Sequence, residues 1–216
     1  MSKYLIIGGH GKVALLASEL LVHNGHAVAS LIRNPDHRAG VEGTGATPLL
    51  LDIEQASEED LARAMEGMDG VVWSAGAGGG NPARTRAVDY EAAVRSMAAA
   101  KAAGVSRYVM VSYLNSSLDH GVPEDNSFYH YAQAKAEADE HLRGTGLDYT
   151  ILGPGSLTLE EPTNSITVRE IGYEGPSDTS RANVARMIVE VLASPNAIGK
   201  TIGFTDGETP IEGLFS

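Results

Sequence analysis

The sequence predicts an α/β domain in which a doubly wound parallel sheet is covered by helices on both faces. Short apolar runs alternate with longer stretches of helical periodicity. Several of these runs, such as Leu5-Ile6-Ile7 and Pro48-Leu49-Leu50-Leu51, are hydrophobic without interruption, as strands buried on both faces are. Repeats, low-complexity tracts and linkers are absent from the 216 residues, so a single domain is predicted.

Apolar runs and end signals place the individual elements. Strands are predicted over 4–7, 27–32, 48–51, 70–73, 107–111 and 149–152. Helices are predicted over 12–24, 57–66, 82–104, 129–143 and 181–193. Ser57 with an acid three residues later is close to a capping box, Asn81-Pro82 is a helix start, and Gly25 is a helix end.

The composition limits the classes of partner. Asp and Glu number 28 against 16 Lys and Arg, which gives a net charge of −12; the basic residues are scattered, so no nucleic-acid ligand is expected. No apolar run reaches the roughly 18 residues of a membrane span, and the first residues do not resemble a signal peptide, so a cytoplasmic location is expected. The lack of cysteine excludes thiol chemistry, and no histidine–carboxylate spacing predicts a metal site.

A glycine-rich turn follows the first predicted strand and opens the first predicted helix. It reads Gly8-Gly9-His10-Gly11-Lys12-Val13-Ala14, with Gly8, Gly11 and Ala14 at the spacing G-x-x-G-x-x-A. Such glycines permit a tight turn and a close approach of backbone to a pyrophosphate at the helix N-terminus. The spacing alone is a weak signal, but its strand–turn–helix context predicts a dinucleotide-binding, Rossmann-type domain.

The end of the second strand indicates which dinucleotide is bound. NAD-binding domains of this type place an acidic residue there, which accepts hydrogen bonds from the adenosine ribose. Here the strand ends in Leu31-Ile32-Arg33-Asn34-Pro35, without an acid. Arg33 is placed to bind a 2′-phosphate, assisted by Arg38, so NADP(H) is favoured over NAD(H). The alternative for Arg33 is a solvated surface position.

With these motifs the sequence resembles the short-chain dehydrogenase/reductase superfamily. Within it, the sequence looks like the compact, atypical NAD(P)-binding members, which include epimerase/dehydratase-like, flavin/biliverdin-reductase-like and NmrA-like proteins. The resemblance covers most of the chain and rests on the motifs above together with five further ones: Asp52-Ile53, Ser74-Ala75-Gly76, Val88-Asp89-Tyr90, Tyr131/Lys135 and Pro154-Gly155.

The resemblance implies the rest of a cofactor site. Residues Gly8 to Val13 would surround the pyrophosphate, and Asp52-Ile53 would contact the adenine, unless Asp52 only caps the next turn. Ser74-Ala75-Gly76 would lie beside the adenosine ribose and Pro154-Gly155 beside the nicotinamide. His10 is unusual in this loop; it either caps the helix or contacts a cofactor phosphate.

Tyr131 and Lys135 match the superfamily's Y-x-x-x-K pair. They lie four residues apart on a predicted helix and so share a face. The ammonium, together with an oxidised nicotinamide, is expected to lower the pKa of the phenol from its ordinary value near 10. Tyr131 would donate a proton to a carbonyl oxygen as NADPH delivers hydride, and accept one in reverse, while Lys135 also holds the nicotinamide ribose.

Ser112 is the candidate third catalytic residue because it ends the fifth strand at the edge where ligands bind in such sheets. Its alternative role is a local hydrogen bond to backbone. Tyr113 and Tyr129 are alternative proton donors or pocket walls, and His120 and His130 are expected to face solvent.

The function predicted from these residues is an NADPH-dependent oxidoreductase acting on a small carbonyl, quinone or flavin-like acceptor. The alternatives are a non-catalytic NAD(P)-binding sensor of the NmrA type, and epimerase or dehydratase chemistry. A small-molecule substrate and a monomer or homodimer are expected. Within the single domain 1–216, the stretch 158–180 is rich in Glu, Pro, Thr and Gly, and is either a small substrate-side lobe or an irregular loop.

Overall fold

The computed structural model of the protein describes residues 1–78 and 80–216, which form eleven strands and seven α-helices. The strands are β1 Lys3–Ile7, β2 Ala27–Ile32, β3 Thr47–Leu50, β4 Gly70–Trp73, β5 Arg107–Val111, β6 Asp148–Pro154, β7 Ser156–Thr158, β8 Ser165–Arg169, β9 Asp178–Ser180, β10 Lys200–Asp206 and β11 Thr209–Pro210. The helices are α1 Lys12–His23, α2 Arg38–Glu42, α3 Glu58–Met65, α4 Pro82–Thr85, α5 Ala93–Ala102, α6 Tyr129–Arg143 and α7 Arg181–Ala193.

The main sheet has the order β11-β8-β10-β6-β5-β4-β1-β2-β3. Strands β1 to β6 and β10 run parallel, whereas β8 is antiparallel to β10 and β11 is antiparallel to β8. The predicted doubly wound α/β sheet is therefore confirmed, with an antiparallel extension at one edge. Sequential strands diverge from β1 in both directions, which creates the crevice where such sheets bind ligands.

Alternate residues of each strand supply two separate cores. Tyr4 and Ile6 of β1 face a core that contains α1 and α7, with Leu21 and Ile188 among its buried side chains. Leu5 and Ile7 face the opposite core, where α3, α5 and α6 pack. This alternation explains the uninterrupted apolar runs, because both faces of each central strand are buried.

The boundaries of the predicted elements agree to within one or two residues, apart from the helix predicted over 82–104. The sequence did not predict α2 or the strands β7 to β11, including β10, which lies inside the main sheet. There α4 and α5 are joined by a π-helical stretch, Arg86–Ala92. Ser57 forms the expected capping box with Asp60, and Asn81 caps α4 by accepting from the backbone of Arg84.

The segment 158–180 extends the sheet rather than forming an irregular loop. It contributes β8 to the main sheet, and its last strand, β9, pairs with β7 in a two-stranded parallel sheet. Strand β8 carries polar as well as apolar side chains, because part of this strand lies near the surface. No helix within the described residues is long and apolar enough to cross a membrane.

Candidate functional site

The glycine loop lies at the crevice between β1 and β4. Gly8 follows β1 and has φ +85°, a region that side-chain-bearing residues rarely adopt. A Cβ atom at Gly8 would lie 2.6 Å from the Cα atom of Ala75, which follows β4. Glycine is therefore required here because the loops after the two strands are in contact.

The loop ends at the N-terminus of α1, where backbone amides are available to an anion. Gly11 is the N-cap and offers no side-chain cap, and the first turn contains no acidic residue. The N–H groups of Lys12, Val13 and Ala14 precede the first intrahelical hydrogen bond, so they have no helical acceptor. These amides fit a cofactor pyrophosphate.

The remaining loop residues hold the loop in place on the side that faces β2 and the core. Gly9 donates its N–H to the carbonyl of Leu31 at 2.8 Å, and a Cβ at this position would lie 2.4 Å from the Cβ of Ser30. The side chain of Val13 is buried in the core, and that of Lys12 is exposed. Gly9 and Val13 thus pack against the core side of the loop, and only their backbone atoms are available to a ligand.

A cavity of about 270 Å³ adjoins the loop; we call it the glycine-loop cavity. Of the predicted cofactor residues, it is lined by Gly8, His10, Gly11, Arg33, Ile53, Ser74, Ala75 and Gly76. The structure therefore brings together residues from the ends of β1, β2, β3 and β4, as the crevice of a doubly wound sheet requires.

Arg33 lies in this cavity within a charged group that the sequence did not reveal. Its Nη1 donates to Oε1 of Glu54 at 3.0 Å, and Nε of Arg84 donates to the same oxygen at 2.9 Å. The Arg33 side chain is 53% exposed. Two guanidinium groups share one carboxylate, so the group retains net positive charge where the adenosine end of a dinucleotide would lie.

His10 stacks on His37 at the same cavity. The ring centroids are 3.7 Å apart and the planes differ by 11°. Partial burial, and then the neighbouring His37, lower the pKa of His10. His10 is not a side-chain cap of α1, whose N-cap has no such bond, so the capping alternative is wrong and the ring instead faces the cavity.

Ile53 lines the glycine-loop cavity, whereas Asp52 holds the turn behind it. Oδ1 of Asp52 accepts from the N–H of Glu54 at 3.0 Å. Nη2 of Arg95 fixes the carbonyl of Ile53 at 2.7 Å. The side chain of Asp52 therefore has the turn-capping role that was the alternative to adenine contact.

A second cavity, of about 690 Å³, lies at the carboxyl ends of β5 and β6; we call it the tyrosine cavity. Its walls include three rings that contact one another, with Tyr113 and Phe128 5.3 Å apart, Phe128 and Tyr131 5.3 Å apart, and Tyr113 and Tyr131 5.8 Å apart. Tyr173 and His120 also line it; His120 is half-buried there, whereas His130 is exposed. Tyr129 is absent from the lining.

The phenol of Tyr131 is held neutral in this cavity. Burial, and then the carboxylates of Asp89 and Asp139, raise its pKa above the ordinary value near 10. The expected lowering of the Tyr131 pKa by Lys135 is thus wrong for this structure. Tyr113 behaves similarly, because burial raises its pKa to about 12.

Lys135 lies beneath the cavity and does not line it. Its side chain is buried, and Nζ donates to the carbonyl of Val111 at 2.7 Å. The carboxylates of Asp139 and Asp89 stabilise the ammonium, although burial lowers its pKa. In this geometry Lys135 fixes the end of β5. The ammonium could make its expected contact with a nicotinamide ribose only if the side chain changed rotamer.

Ser112 lines the tyrosine cavity, but its hydroxyl already has a partner. Its hydroxyl donates to Oδ2 of Asp139, and the hydroxyl of Ser116 donates to the same oxygen at 2.6 Å. Asp139 is fully buried, and burial raises its pKa against the opposing effect of Lys135 and the two serines. Ser112 therefore orients a buried carboxylate, and its local bond is to a side chain rather than to backbone.

Pro154 and Gly155 lie at the tyrosine cavity, where β6 ends. The N–H of Gly155 donates to the carbonyl of Phe204 at 3.0 Å and to Oγ1 of Thr179 at 3.1 Å. A Cβ at Gly155 would lie 1.9 Å from the carbonyl oxygen of Ser177. Glycine is required there by the close approach of the segment before β9, which forms part of the cavity wall.

Asp89 lines neither cavity but interacts with groups next to both. It is carried by the π-helical stretch, and its Oδ2 accepts from the N–H of Ala77 at 3.1 Å. This bond fixes the loop after β4, while the same side chain faces Lys135 and Tyr131. Sequence reasoning identified the Val88-Asp89-Tyr90 motif but not this role; the i, i+4 spacing of Lys135 and Asp139 was an available signal for the buried charges.

The profile of the family described as NAD(P)H-binding matches residues 8–195. The chain belongs to this NAD(P)H-binding family. The match spans both cavities, and a nicotinamide dinucleotide is accordingly the cofactor class of this protein. The Rossmann-type family predicted from the sequence is confirmed.

Relatives of this NAD(P)H-binding protein carry both epimerase and oxidoreductase names. A Bacillus subtilis protein named as an uncharacterized sugar epimerase is 31% identical, over 97% of this chain and 96% of its own length. A Bacillus halodurans structure, described as a candidate NAD-dependent epimerase/dehydratase, has a TM-score of 0.90 at 31% identity and covers 98% of this chain and 97% of its own. The oxidoreductase ylbE from Lactococcus lactis has a TM-score of 0.85 at 28% identity, over 97% and 93% of the two chains.

Proposed function

We propose that this protein is an NADPH-dependent oxidoreductase that reduces a small carbonyl, quinone or flavin-like acceptor. The observation that carries the proposal is the position of Tyr131 in the wall of the tyrosine cavity, which Pro154 and Gly155 also line. The bound reduced nicotinamide supplies a hydride. Tyr131 supplies the proton to the acceptor oxygen, so the acceptor gains one hydride and one proton.

The surroundings of Tyr131 keep it in the proton-bearing form. A phenol whose pKa is raised carries its proton throughout the neutral range, but it is a weaker acid than an ordinary tyrosine, because the phenolate left after donation would lie near the carboxylates of Asp89 and Asp139. After donation, Tyr131 regains a proton from water in the cavity. Acting as a base for alcohol oxidation would require the disfavoured phenolate.

Lys135, Ser112 and Asp139 act as positioning residues in this proposal. Lys135 holds the end of β5 through Val111, and Asp139 binds the hydroxyl of Ser112 from below. Tyr131 lies on the same helix, α6, as Lys135 and Asp139, one and two turns away. The buried charges thus fix the helix that carries the proton donor.

NADPH is proposed as the preferred cofactor because of Arg33. The guanidinium is half-exposed at the end of β2, and its ion pair with Glu54 is shared with Arg84. The single carboxylate of Glu54 only partly neutralises the two guanidinium groups. A 2′-phosphate would displace Glu54 from Arg33 or bind beside it, and would accept a charge-assisted hydrogen bond from Arg33. The cytoplasmic location and the small-molecule partner stay predictions from the sequence.

Epimerase chemistry is a second candidate because the Bacillus subtilis relative is named a sugar epimerase. It also needs a tyrosine near the nicotinamide, but it leaves the cofactor unchanged overall. Net oxidation of NADPH therefore separates the two reactions. A non-catalytic sensor would bind NADPH without consuming it in the presence of any acceptor.

The test compares Tyr131→Phe with the matched control Tyr149→Phe, since Tyr149 lies near the opposite edge of the sheet at the start of β6. NADPH oxidation is followed with a panel of quinones, aldehydes and flavins, and NADPH binding by fluorescence. Tyr131→Phe should lower turnover by roughly 10²- to 10⁴-fold and leave the Kd for NADPH within about twofold. Equal turnover in both variants refutes the tyrosine chemistry, and binding without turnover in the wild type favours the sensor.

A further inference from the structure

The lining of the tyrosine cavity has an unusual charge composition for a site in a nucleotide-binding protein. Among the residues that the structure describes, no lysine or arginine lines this cavity. Its walls include the rings of Tyr113, Phe128, Tyr131 and Tyr173, and its single carboxylate is that of Glu174, which is exposed at the rim. The cavity is therefore aromatic and carries at most negative charge.

His120 does not supply a positive charge to this lining. Its Nδ1 accepts a hydrogen bond from the N–H of Val122 at 3.0 Å, so that nitrogen carries no proton. Its Nε2 lies 3.2 Å from Oε1 of Gln133 and donates to it. Both ring nitrogens are engaged in the neutral form of the ring.

Two cations, Lys135 and Arg169, lie next to the wall of the cavity but do not line it. Lys135 lies below the wall, where its ammonium is bound by Val111 and faces buried carboxylates. Arg169 stacks on the ring of Tyr173, with Cζ 4.2 Å from the ring centroid, and its Nε donates to Oγ1 of Thr205. It lines the adjoining cavity instead.

We propose that the tyrosine cavity takes an uncharged, planar aromatic acceptor and rejects phosphorylated, sulfonated or carboxylated ones. This inference rests on the proposed oxidoreductase function and names the substrate class of the same site. An anion that contacts this wall loses part of its hydration and gains no ion pair from the lining, whereas an uncharged ring stacks on the aromatic side chains. The diphosphate of a sugar nucleotide would find no lysine or arginine in this lining, which disfavours that substrate of the epimerase alternative.

A quinone fits the class and provides a matched pair of probes. We would measure binding of para-naphthoquinone and of its ring-sulfonated derivative by calorimetry, to protein saturated with NADP⁺ so that no electrons are available for turnover. The absence of cysteine from the chain means that the quinone cannot arylate a thiol. An ionic strength of about 0.15 M limits the long-range effect of the net charge to roughly 8 Å.

The uncharged quinone should bind at least about tenfold more tightly than the sulfonate. Glu174→Gln should reduce this ratio by about threefold, because one unit of repulsion at the rim is removed. Glu66→Gln is the matched control, since it makes the same charge change beyond α3, near the opposite edge of the sheet. The ratio should not change in that variant.

Equal or tighter binding of the sulfonate, or binding of neither quinone to the folded, NADP⁺-loaded protein, overturns the inference. An unchanged ratio in Glu174→Gln overturns the assignment of Glu174. The proposed function fails separately: if the uncharged quinone binds selectively but NADPH is not oxidised in its presence, the ligand class stands and the reductase does not.

Discussion

The hydroxyl of Ser112 donates a hydrogen bond to the carboxylate of Asp139, which lies two turns from Tyr131 on α6. The bond directs the serine hydroxyl toward α6, although Ser112 itself lines the tyrosine cavity. The same carboxylate faces the ammonium of Lys135. Residues that resemble a catalytic set in the sequence therefore form, in large part, a buried charge network that supports one tyrosine.

Replacing Asp139 with Asn should strongly destabilise the protein. Lys135 would keep only Asp89 as a nearby counter-charge in a fully buried site. Breaking a buried pair by removing one partner costs about 3–5 kcal/mol, and we expect a value near the lower end because Asp89 remains. Urea unfolding measures this change, with Ser112→Ala as a milder comparison at about 1 kcal/mol.

A double substitution tests whether Asp139 and Lys135 are energetically coupled. Lys135→Met removes the ammonium, so Asp139→Asn combined with Lys135→Met should cost clearly less than the sum of the two single changes. Additive losses would show that the two side chains are not energetically coupled.

The network illustrates what the sequence could and could not predict. Apolar periodicity placed β1 to β6 and the major helices, because buried strands and amphipathic helices have distinct spacings, but it missed β10, whose run of apolar residues is interrupted by Gly203 and Thr205. The same periodicity placed Lys135 on the face of Tyr131. It could not show that the carbonyl of Val111 and the carboxylate of Asp139 lie beneath that face, because these contacts form only when β5 and α6 pack.

At the adenosine end of the cofactor site, too, the sequence could not predict contacts that form only when distant elements pack together. Arg33 could be identified from the sequence because the residue at the end of the second strand is the one expected to contact the adenosine ribose or its phosphate. Its partner Glu54 is 21 residues away and the second arginine, Arg84, is a further 30 residues on. Their meeting at one oxygen depends on the order of β2, β3 and β4, which no local motif encodes.

Gly8→Ala should destabilise the protein more than Gly25→Ala. Both glycines have positive φ, +85° and +81°, so an alanine at either position suffers backbone strain of about 1 kcal/mol. At Gly25 no atom lies within 4 Å of the added Cβ, whereas at Gly8 the Cα of Ala75 is 2.6 Å away. Urea unfolding should therefore show an additional loss of at least about 1 kcal/mol for Gly8→Ala.

Cofactor binding should distinguish the two glycine variants as well. Gly8→Ala moves the loops after β1 and β4 apart and should weaken NADPH binding, while Gly25→Ala, at the far end of α1, should not. Equal nucleotide affinity in both variants would contradict the role of Gly8 in shaping the glycine-loop cavity.

Arg33→Ala should weaken NADPH binding about tenfold and change NADH binding by less than about twofold, because a charge-assisted hydrogen bond to a half-exposed phosphate is worth roughly 1.5 kcal/mol. Arg63→Ala removes the same charge from the exposed face of α3 and serves as the control. Parallel fluorescence titrations with the two cofactors give the ratio. Equal weakening of NADPH and NADH binding by Arg33→Ala would remove the basis for the 2′-phosphate assignment.

Reductive turnover should be independent of the Tyr131 proton up to at least pH 9.5. Burial and the carboxylates of Asp89 and Asp139 raise the pKa of this phenol above its ordinary value near 10, so the donor form persists throughout the neutral and mildly alkaline range. A phenol with its pKa lowered by a lysine would instead lose its proton near neutrality. The rate would then fall about tenfold for each further pH unit.

The measurement is kcat/KM for the acceptor between about pH 7 and 9.5, with an acceptor that does not titrate in this range and with saturating NADPH. A flat profile is expected for the wild type. A descending limb that begins near neutrality and disappears in Tyr131→Phe would mean that the phenol ionises easily, and that Lys135 moves toward it when cofactor binds. The reverse reaction should show the opposite trend, with a rate that rises with pH across the whole range, because oxidation of the alcohol requires Tyr131 as the phenolate.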